Sequence, residues 1–119
     1  ASRYDDLLRR AGISGATTHE GIVLPWTDPR ATHVFHQYVI RAPRRDALRQ
    51  YLNERQIGSE IYYPLPLHLQ ASLSHLGYKT GDFPVSEKAA EEVLALPMFP
   101  ELRADEQEIV VDAIRSFYA

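Results

Sequence analysis

A proline-rich segment, residues 61–70 with the sequence IYYPLPLHLQ, constrains the fold of this chain more than any other stretch. Its two prolines stand two positions apart, so they remove backbone donors and favour an extended backbone over a helix. Tyr62 and Tyr63 precede the first proline, and His68 follows the second. Rigid backbone of this kind is suited to holding side chains that orient a ligand. The alternative interpretation is a proline-rich loop in which the tyrosines only pack.

Composition and charge narrow the class of protein. A length of 119 residues fits one domain with a modest core. The net charge is −3 and the arginines are scattered, which argues against a nucleic-acid partner. The chain has no cysteine, no apolar run of membrane-spanning length and no visible signal peptide. We therefore expect a cytoplasmic protein with no membrane partner.

Apolar periodicity and turn residues predict an α/β fold of the α+β small-domain type, with a short mixed or antiparallel sheet and helices packed on it. The predicted helices cover residues 1–11, 43–57, 67–76, 85–96 and 104–117, and the predicted strands cover residues 22–24, 33–41 and 57–62. The third strand leads directly into the proline-rich segment. That position, at the end of a strand, is common for ligand-facing residues in mixed α/β folds.

The strand predicted over residues 33–41 carries apolar side chains on both faces, so we expect it to be central and covered on both sides. His33 and His36 point to opposite faces because their separation is odd, and they cannot chelate one metal as strand neighbours. His68 and His75 have no acidic or thiolate companions at ligand spacing. The sequence therefore predicts no metal site.

Three features together resemble a known family. They are the run IYYPLPLHLQ, the run GDFPVSEKAAEEVLALPMFPEL, and a closing amphipathic helix. In this order they are similar to the C-terminal domain of the DegT/DnrJ/EryC1/StrS family of pyridoxal-phosphate-dependent sugar aminotransferases, from about residue 33 to residue 118. The resemblance implies the fold of the C-terminal domain of fold-type I aminotransferases. It also implies that residues 1–30 are a connecting helix and loop from an absent large domain, and residues 31–119 the small domain.

The resemblance implies that the parent protein is an enzyme. It would transfer an amino group from glutamate to a keto-sugar nucleotide, for polysaccharide, lipopolysaccharide or antibiotic-sugar biosynthesis, as a homodimer. Pyridoxal phosphate needs a lysine that forms an imine, which in this family belongs to the large domain. Lys79 lies in a glycine-flanked turn and Lys88 on a helix among glutamates, and no glycine-rich phosphate loop is present. We therefore expect this chain alone to bind no cofactor, to contain no catalytic residue and to be inactive.

The resemblance also implies which residues face the substrate. Tyr62 and Tyr63 are the side chains that the resemblance places foremost against the substrate. Tyr63 matches the family's tyrosine, whereas relatives often have histidine where this chain has Tyr62. A phenol keeps the hydrogen bond of that histidine but not its pH-sensitive charge. His68, within the pattern PxHxQ, corresponds to a residue near the sugar or its diphosphate, and a packing role is the alternative. His36 and Tyr38 lead toward the same cleft, and a buried structural role is the alternative for both.

Two other functions fit the sequence. The chain could be a stand-alone, non-catalytic binding or regulatory domain derived from this family, using the edge formed by its tyrosines and histidine. A large exposed apolar face would count against that function, because such a face normally meets a partner. The chain could also be a generic α/β interaction domain in which all of these features are packing.

Overall fold

The computed structural model describes residues 1–119 as helices packed on a small antiparallel sheet, which confirms the predicted fold class. The α-helices are α1 (Ser2–Arg10), α2 (Arg45–Glu54), α3 (Pro84–Glu92) and α4 (Ala104–Tyr118). The strands are β1 (Tyr38–Arg41) and β2 (Val93–Leu96), and two 3₁₀-helices cover Leu67–Leu69 and Ala71–Leu76. None of the helices has both the length and the apolar character needed to cross a membrane.

The sheet is built around β2. On one side β2 pairs antiparallel with β1, with Tyr38 opposite Leu96. On its other side Ala95 forms an isolated antiparallel bridge with Glu60. A further bridge joins Val23 to β1 at its outer edge. Glu60 is therefore the last residue attached to the sheet before the proline-rich segment begins.

One hydrophobic core joins both ends of the chain. Helix α4 packs against α1 and α2. Tyr4 of α1 and Tyr38 of β1 are fully buried, with ring centroids 5.0 Å apart. The core consists of thirteen buried side chains, which are Tyr4, Leu8, Ile22, Tyr38, Ile40, Ala42, Leu48, Leu52, Leu94, Leu96, Val110, Val111 and Ile114.

The helices predicted near both ends and after Pro43 are present. Helix α1 ends before Gly12, whose φ of 68° lies in the left-handed region that favours glycine. Helix α4 begins where the Glu106 carboxylate accepts a hydrogen bond of 2.8 Å from the backbone N–H of Arg103. This side chain satisfies one donor that a helix start leaves free.

The strand predicted over residues 33–41 was too long. Only its last four residues are a strand, because Phe35 has a φ of 47° and its backbone N–H donates to Nδ1 of His33 at 2.8 Å. This turn takes residues 33–37 out of the sheet, and His33, Val34 and His36 are exposed. The expectation of a strand covered on both sides was therefore wrong for residues 33–37.

Three other element predictions were also wrong in part. The strand predicted over residues 57–62 is reduced to the single bridge at Glu60. The helix predicted over residues 67–76 is two 3₁₀-helices, because Gln70 between them is extended. Val93 and Leu94, predicted to extend the third long helix, instead begin β2, because pairing with β1 satisfies their backbone groups.

Candidate functional site

The proline-rich segment is fixed at its base, and its residues 62–65 are exposed. Glu60 exchanges two backbone hydrogen bonds with Ala95, of 3.1 and 2.7 Å, and Ile61 packs against the core. The side chains of Tyr62 and Tyr63 are exposed to solvent, and their rings pack edge to face with centroids 6.0 Å apart. Two phenol hydroxyls are thus available to a ligand on a backbone anchored to the sheet.

A cavity of about 460 Å³ opens beside Tyr62. His36, Gln37 and Glu60 contribute polar groups to its lining, and residues 96–99 contribute an apolar wall. The size lies within the range typical of small-molecule sites. An imidazole, an amide, a phenol and a carboxylate beside an apolar wall can hydrogen-bond the hydroxyls of a ring-shaped ligand and pack against its face.

The apolar wall is held in place by the N-terminal helix. The hydroxyl of Tyr4 donates a hydrogen bond of 3.0 Å to the backbone carbonyl of Pro97. Met98 packs against the core and also lines the cavity, and Phe99 lines it with a half-exposed side chain. The site residues predicted from the sequence included none of this wall.

His68 lies outside the lining of this cavity, in the first 3₁₀-helix. Its side chain is only 7% exposed, and its Nε2 atom is 3.0 Å from Oε1 of Glu87. Its ring also packs against Phe83, with centroids 4.8 Å apart. Hydrogen bonds from the backbone N–H groups of Gly81 and Phe83, and from the ring of His68, hold the pKa of Glu87 below its ordinary value. Partial desolvation of the carboxylate opposes this shift but does not cancel it. Glu87 is therefore ionised at neutral pH.

Tyr38 is a core residue. Its side chain has no exposed surface, and its hydroxyl donates a hydrogen bond to the carboxylate of Asp5. Burial, and then this hydrogen bond, raise the pKa of Tyr38 well above its ordinary value. Such a side chain has no surface to offer a ligand, so the buried structural role that the sequence left open applies, and Tyr38 is excluded from the candidate site.

The structure brings together only some of the predicted site residues. His36 and Tyr62 share the cavity, Tyr63 adjoins Tyr62 outside the lining, and His68 forms a separate cluster with Glu87. A role in substrate binding stays a prediction for these four predicted residues. No three histidine, aspartate or glutamate side chains converge in a way that could hold a metal ion.

Sequence reasoning missed several residues of these two clusters. Glu60 and Phe99 line the cavity only because distant segments meet beside β2. Glu87 was not among the site residues predicted from the sequence. The preceding polar turn, GYKTGDFP, was the available signal, because its free backbone N–H groups need an acceptor.

A family model and several known proteins match the sequence of this chain. Residues 1–115 match the model of the DegT/DnrJ/EryC1/StrS aminotransferase family. The chain is 38% identical over 116 residues to the dTDP-3-amino-3,4,6-trideoxy-alpha-D-glucose transaminase of Micromonospora megalomicea subsp. nigra, which covers 97% of this chain and 30% of that protein. It is 58% identical over 86 residues to the Pleiotropic regulatory protein of Geobacillus stearothermophilus, covering 72% of this chain and 23% of that protein.

Solved structures agree with the sequence comparison. S. venezuelae DesV in complex with a ketimine intermediate has a TM-score of 0.81 and 34% identity, and the match covers 98% of this chain and 31% of DesV. The chain thus spans less than a third of the length of these relatives. The family match covers nearly all of its own length. On this ground the chain belongs to the DegT/DnrJ/EryC1/StrS aminotransferase family.

Proposed function

We propose that this chain is the C-terminal small domain of a pyridoxal-phosphate-dependent nucleotide-sugar aminotransferase and forms one wall of its substrate cleft. The parent protein transfers an amino group from glutamate to a keto-sugar nucleotide. Relatives named as transaminases or aminotransferases of dTDP-linked and UDP-linked sugars support this substrate class. The observation that carries the proposal is the match of 98% of this chain to 31% of DesV, a structure described with a ketimine intermediate.

The cavity beside Tyr62 supports the role of cleft wall. The His36 imidazole and the Tyr62 hydroxyl can each hydrogen-bond a hydroxyl or a diphosphate oxygen of the substrate. Phe99 supplies an apolar surface on which the carbon face of a sugar ring can pack. The chain's own contribution is therefore to bind and orient the substrate rather than to carry out the chemistry.

The lysines of this chain do not fit the role of holding the cofactor. Pyridoxal phosphate, when bound, supplies the aldehyde that carries the amino group between donor and acceptor. Lys79 is exposed in a turn, and the side chain of Lys88 is 53% exposed, with its Nζ atom 3.8 Å from Glu92. Neither lines the cavity beside Tyr62. We assign the imine-forming lysine and the phosphate-binding groups to the large domain.

The exposed apolar side chains support a covered position within a larger protein. Eight of the twelve exposed large apolar side chains lie in residues 62–85, and they are Tyr62, Tyr63, Leu65, Leu67, Leu76, Tyr78, Phe83 and Val85. Apolar surface concentrated in this way normally meets a partner surface. Tyr62 faces the cavity, and we assign the other seven side chains to contact with the large domain of the same protein. The parent protein acts as a homodimer in the cytoplasm.

The test uses the full-length protein with a keto-sugar nucleotide and glutamate. Tyr62→Phe and His36→Ala should each lower kcat/KM for the sugar nucleotide about five- to tenfold, the equivalent of one lost hydrogen bond of about 1 kcal/mol. His19→Ala is the matched control, because His19 is exposed and lies outside this cavity. Absence of glutamate-dependent turnover with every keto-sugar nucleotide would refute the assigned reaction. Unchanged kinetics in both variants would refute the proposal that the cavity beside Tyr62 is part of the substrate cleft.

A non-catalytic binding or regulatory domain is the second candidate. It is favoured by the name of the relative at 58% identity, Pleiotropic regulatory protein, although that match covers only 23% of the relative. The exposed apolar side chains of residues 62–85 count against a domain that stands alone. Tight binding of a nucleotide-sugar by the full-length protein without amino transfer would favour this second candidate.

A further inference from the structure

Glu60 is the only residue with a formal charge in the lining of the cavity beside Tyr62 when histidine is neutral. The other polar groups of that lining are uncharged, and residues 96–99 form its apolar wall. No lysine or arginine lines the cavity. An anionic group that enters this cavity therefore meets no cation of this chain and one carboxylate that repels it.

The sheet holds Glu60 at the edge of this cavity. The backbone of Glu60 exchanges hydrogen bonds of 3.1 and 2.7 Å with the backbone of Ala95. Residues that pair directly across antiparallel strands direct their side chains to the same face of a sheet. Ala95 also lines the cavity, so the side chain of Glu60 starts from the side of the sheet on which the cavity lies.

The carboxylate of Glu60 is only weakly paired. Arg49 of α2 donates from Nη2 to Oε2 of Glu60 over 3.4 Å, which is long for a hydrogen bond. The two side chains are 44% and 61% exposed, and ion pairs between exposed side chains contribute little. The Oε1 atom of Glu60 accepts no hydrogen bond within the chain. Glu60 thus keeps a free charged acceptor, whereas Arg49 lies outside the lining of the cavity.

We propose that Glu60 is a specificity-determining residue, whose carboxylate admits the hydroxyl-bearing sugar ring of a nucleotide-sugar to the cavity beside Tyr62 and excludes the diphosphate. The proposal rests on the proposed function and narrows it, because His36 and Tyr62 can hydrogen-bond either part of such a ligand. A carboxylate only accepts hydrogen bonds, so it binds hydroxyl donors and repels phosphate oxygens. The cations that hold the diphosphate then lie outside this cavity.

The test compares ligands with and without the sugar. Full-length protein with its cofactor is titrated calorimetrically with UDP-N-acetylglucosamine and UDP, and with dTDP-glucose and dTDP, at about pH 8, where an ordinary imidazole is neutral. The pair whose sugar nucleotide binds the unmutated protein more tightly is then used for the variants.

Glu60→Gln removes the charge and keeps the size of the side chain, and the hydrogen bonds to Ala95 involve only the backbone. This variant should bind the sugar nucleotide about five- to tenfold more weakly, because a charged acceptor is replaced by a neutral one. Binding of the nucleoside diphosphate should stay within about twofold of that of the unmutated protein, because this ligand has no sugar ring to place beside Glu60.

Arg49→Gln is the matched control. It removes the contact with Oε2 of Glu60 and leaves the carboxylate in place. Because this ion pair is exposed, Arg49→Gln should change the binding of either ligand by less than about twofold. If Arg49→Gln weakens binding of the sugar nucleotide as much as Glu60→Gln does, the ion pair rather than the carboxylate in the cavity is responsible, and the proposal is overturned.

Three results with Glu60→Gln would also overturn the proposal. Tighter binding of both ligands would place the diphosphate beside Glu60, because the loss of a negative charge would then relieve repulsion. Equal weakening of both ligands would indicate a general disturbance of the site. Unchanged binding of both would show that the carboxylate does not meet the ligand.

Amino transfer from glutamate to a keto-sugar nucleotide is measured separately on the unmutated protein. Its absence refutes the proposed function, whereas the binding titrations need no turnover and still decide the role of Glu60. If neither sugar nucleotide binds the unmutated protein, the substrate cleft and the role of Glu60 are refuted together.

Discussion

Replacing Tyr38 with phenylalanine tests the attachment of the N-terminal helix to the sheet. Tyr38 is fully buried in β1, and its hydroxyl donates to Asp5 of α1. Burial first, and the hydrogen bond to Asp5 second, raise the pKa of Tyr38 above its ordinary value of about 10. In the folded chain the hydroxyl therefore stays protonated at a pH where it ionises in the unfolded chain.

The expected magnitude depends on pH. At pH 7 the Tyr38→Phe variant loses one hydrogen bond to a carboxylate, worth about 1.5–3 kcal/mol. The Asp5 side chain is 25% exposed, so water can replace the lost donor and the lower end, about 1.5 kcal/mol, applies. Because the folded pKa is raised, the contribution of the hydroxyl is complete below the unfolded pKa and is lost as the pH rises above it. At about pH 11 ionisation stabilises the unfolded tyrosine by about 1.4 kcal/mol, which phenylalanine cannot gain.

The free energies of unfolding of the two proteins should therefore differ by about 1.5 kcal/mol at pH 7 and nearly coincide at about pH 11. Urea titrations of the 119-residue chain, followed by far-UV circular dichroism, measure this difference. Tyr63→Phe is the control, because that side chain is 68% exposed and should have no effect at either pH. A deficit for Tyr38→Phe that is the same at both pH values would show that this hydroxyl ionises equally in the folded and unfolded chains, and would refute the reasoning.

Three further predictions concern stability and can be read from the same urea titrations. Leu94→Ala should lower the free energy of unfolding by about 2–5 kcal/mol, because Leu94 is fully buried, whereas Val85→Ala at an exposed position should stay within about 0.5 kcal/mol. The pKa of Glu87 is lower in the folded chain than the value of about 4.3 in the unfolded chain, so its carboxylate stabilises the fold above that pH and ceases to do so as the pH falls through the folded pKa. Glu87→Gln should therefore make the free energy of unfolding depend less on pH in this acidic range. Gly21→Ala should cost about 1–3 kcal/mol, because φ is 155° and the new Cβ would lie 2.5 Å from a backbone carbonyl oxygen, whereas Gly58→Ala meets no atom within 4 Å and should be neutral or slightly stabilising.

The parts of the fold that depend on local sequence could be predicted. Helix α4 was predicted because Val110 and Ile114 repeat at helical spacing and both are buried. Strand β2 could not be predicted in this way. Val93 and Leu94 continue the apolar spacing of α3 equally well, and only pairing with β1, distant in sequence, makes them a strand.

In the candidate site, too, local sequence indicated some residues and contacts between distant segments determined the others. Tyr62 and Tyr63 were predicted because the two prolines mark a stiff segment in the sequence itself, and their role in a site stays a prediction. The contact between His68 and Glu87 joins two residues whose spacing matches no helix or strand, so no periodic pattern indicates it. The short length of β1 was missed because the left-handed conformation of Phe35 is unusual for an aromatic residue.

The packing of α1 against α4 has a consequence for synthesis on the ribosome. Tyr4 and Leu8 enter the same core as Ile114, and Arg3 forms an ion pair with Glu108, so the first helix is completed by the last one. Contacts between segments this far apart in sequence form late, because a long loop must be closed first. While the chain is being translated, the apolar surface of α1 and α2 that α4 covers thus stays exposed until α4 has left the exit tunnel, and exposed apolar surface of this kind favours aggregation and chaperone binding.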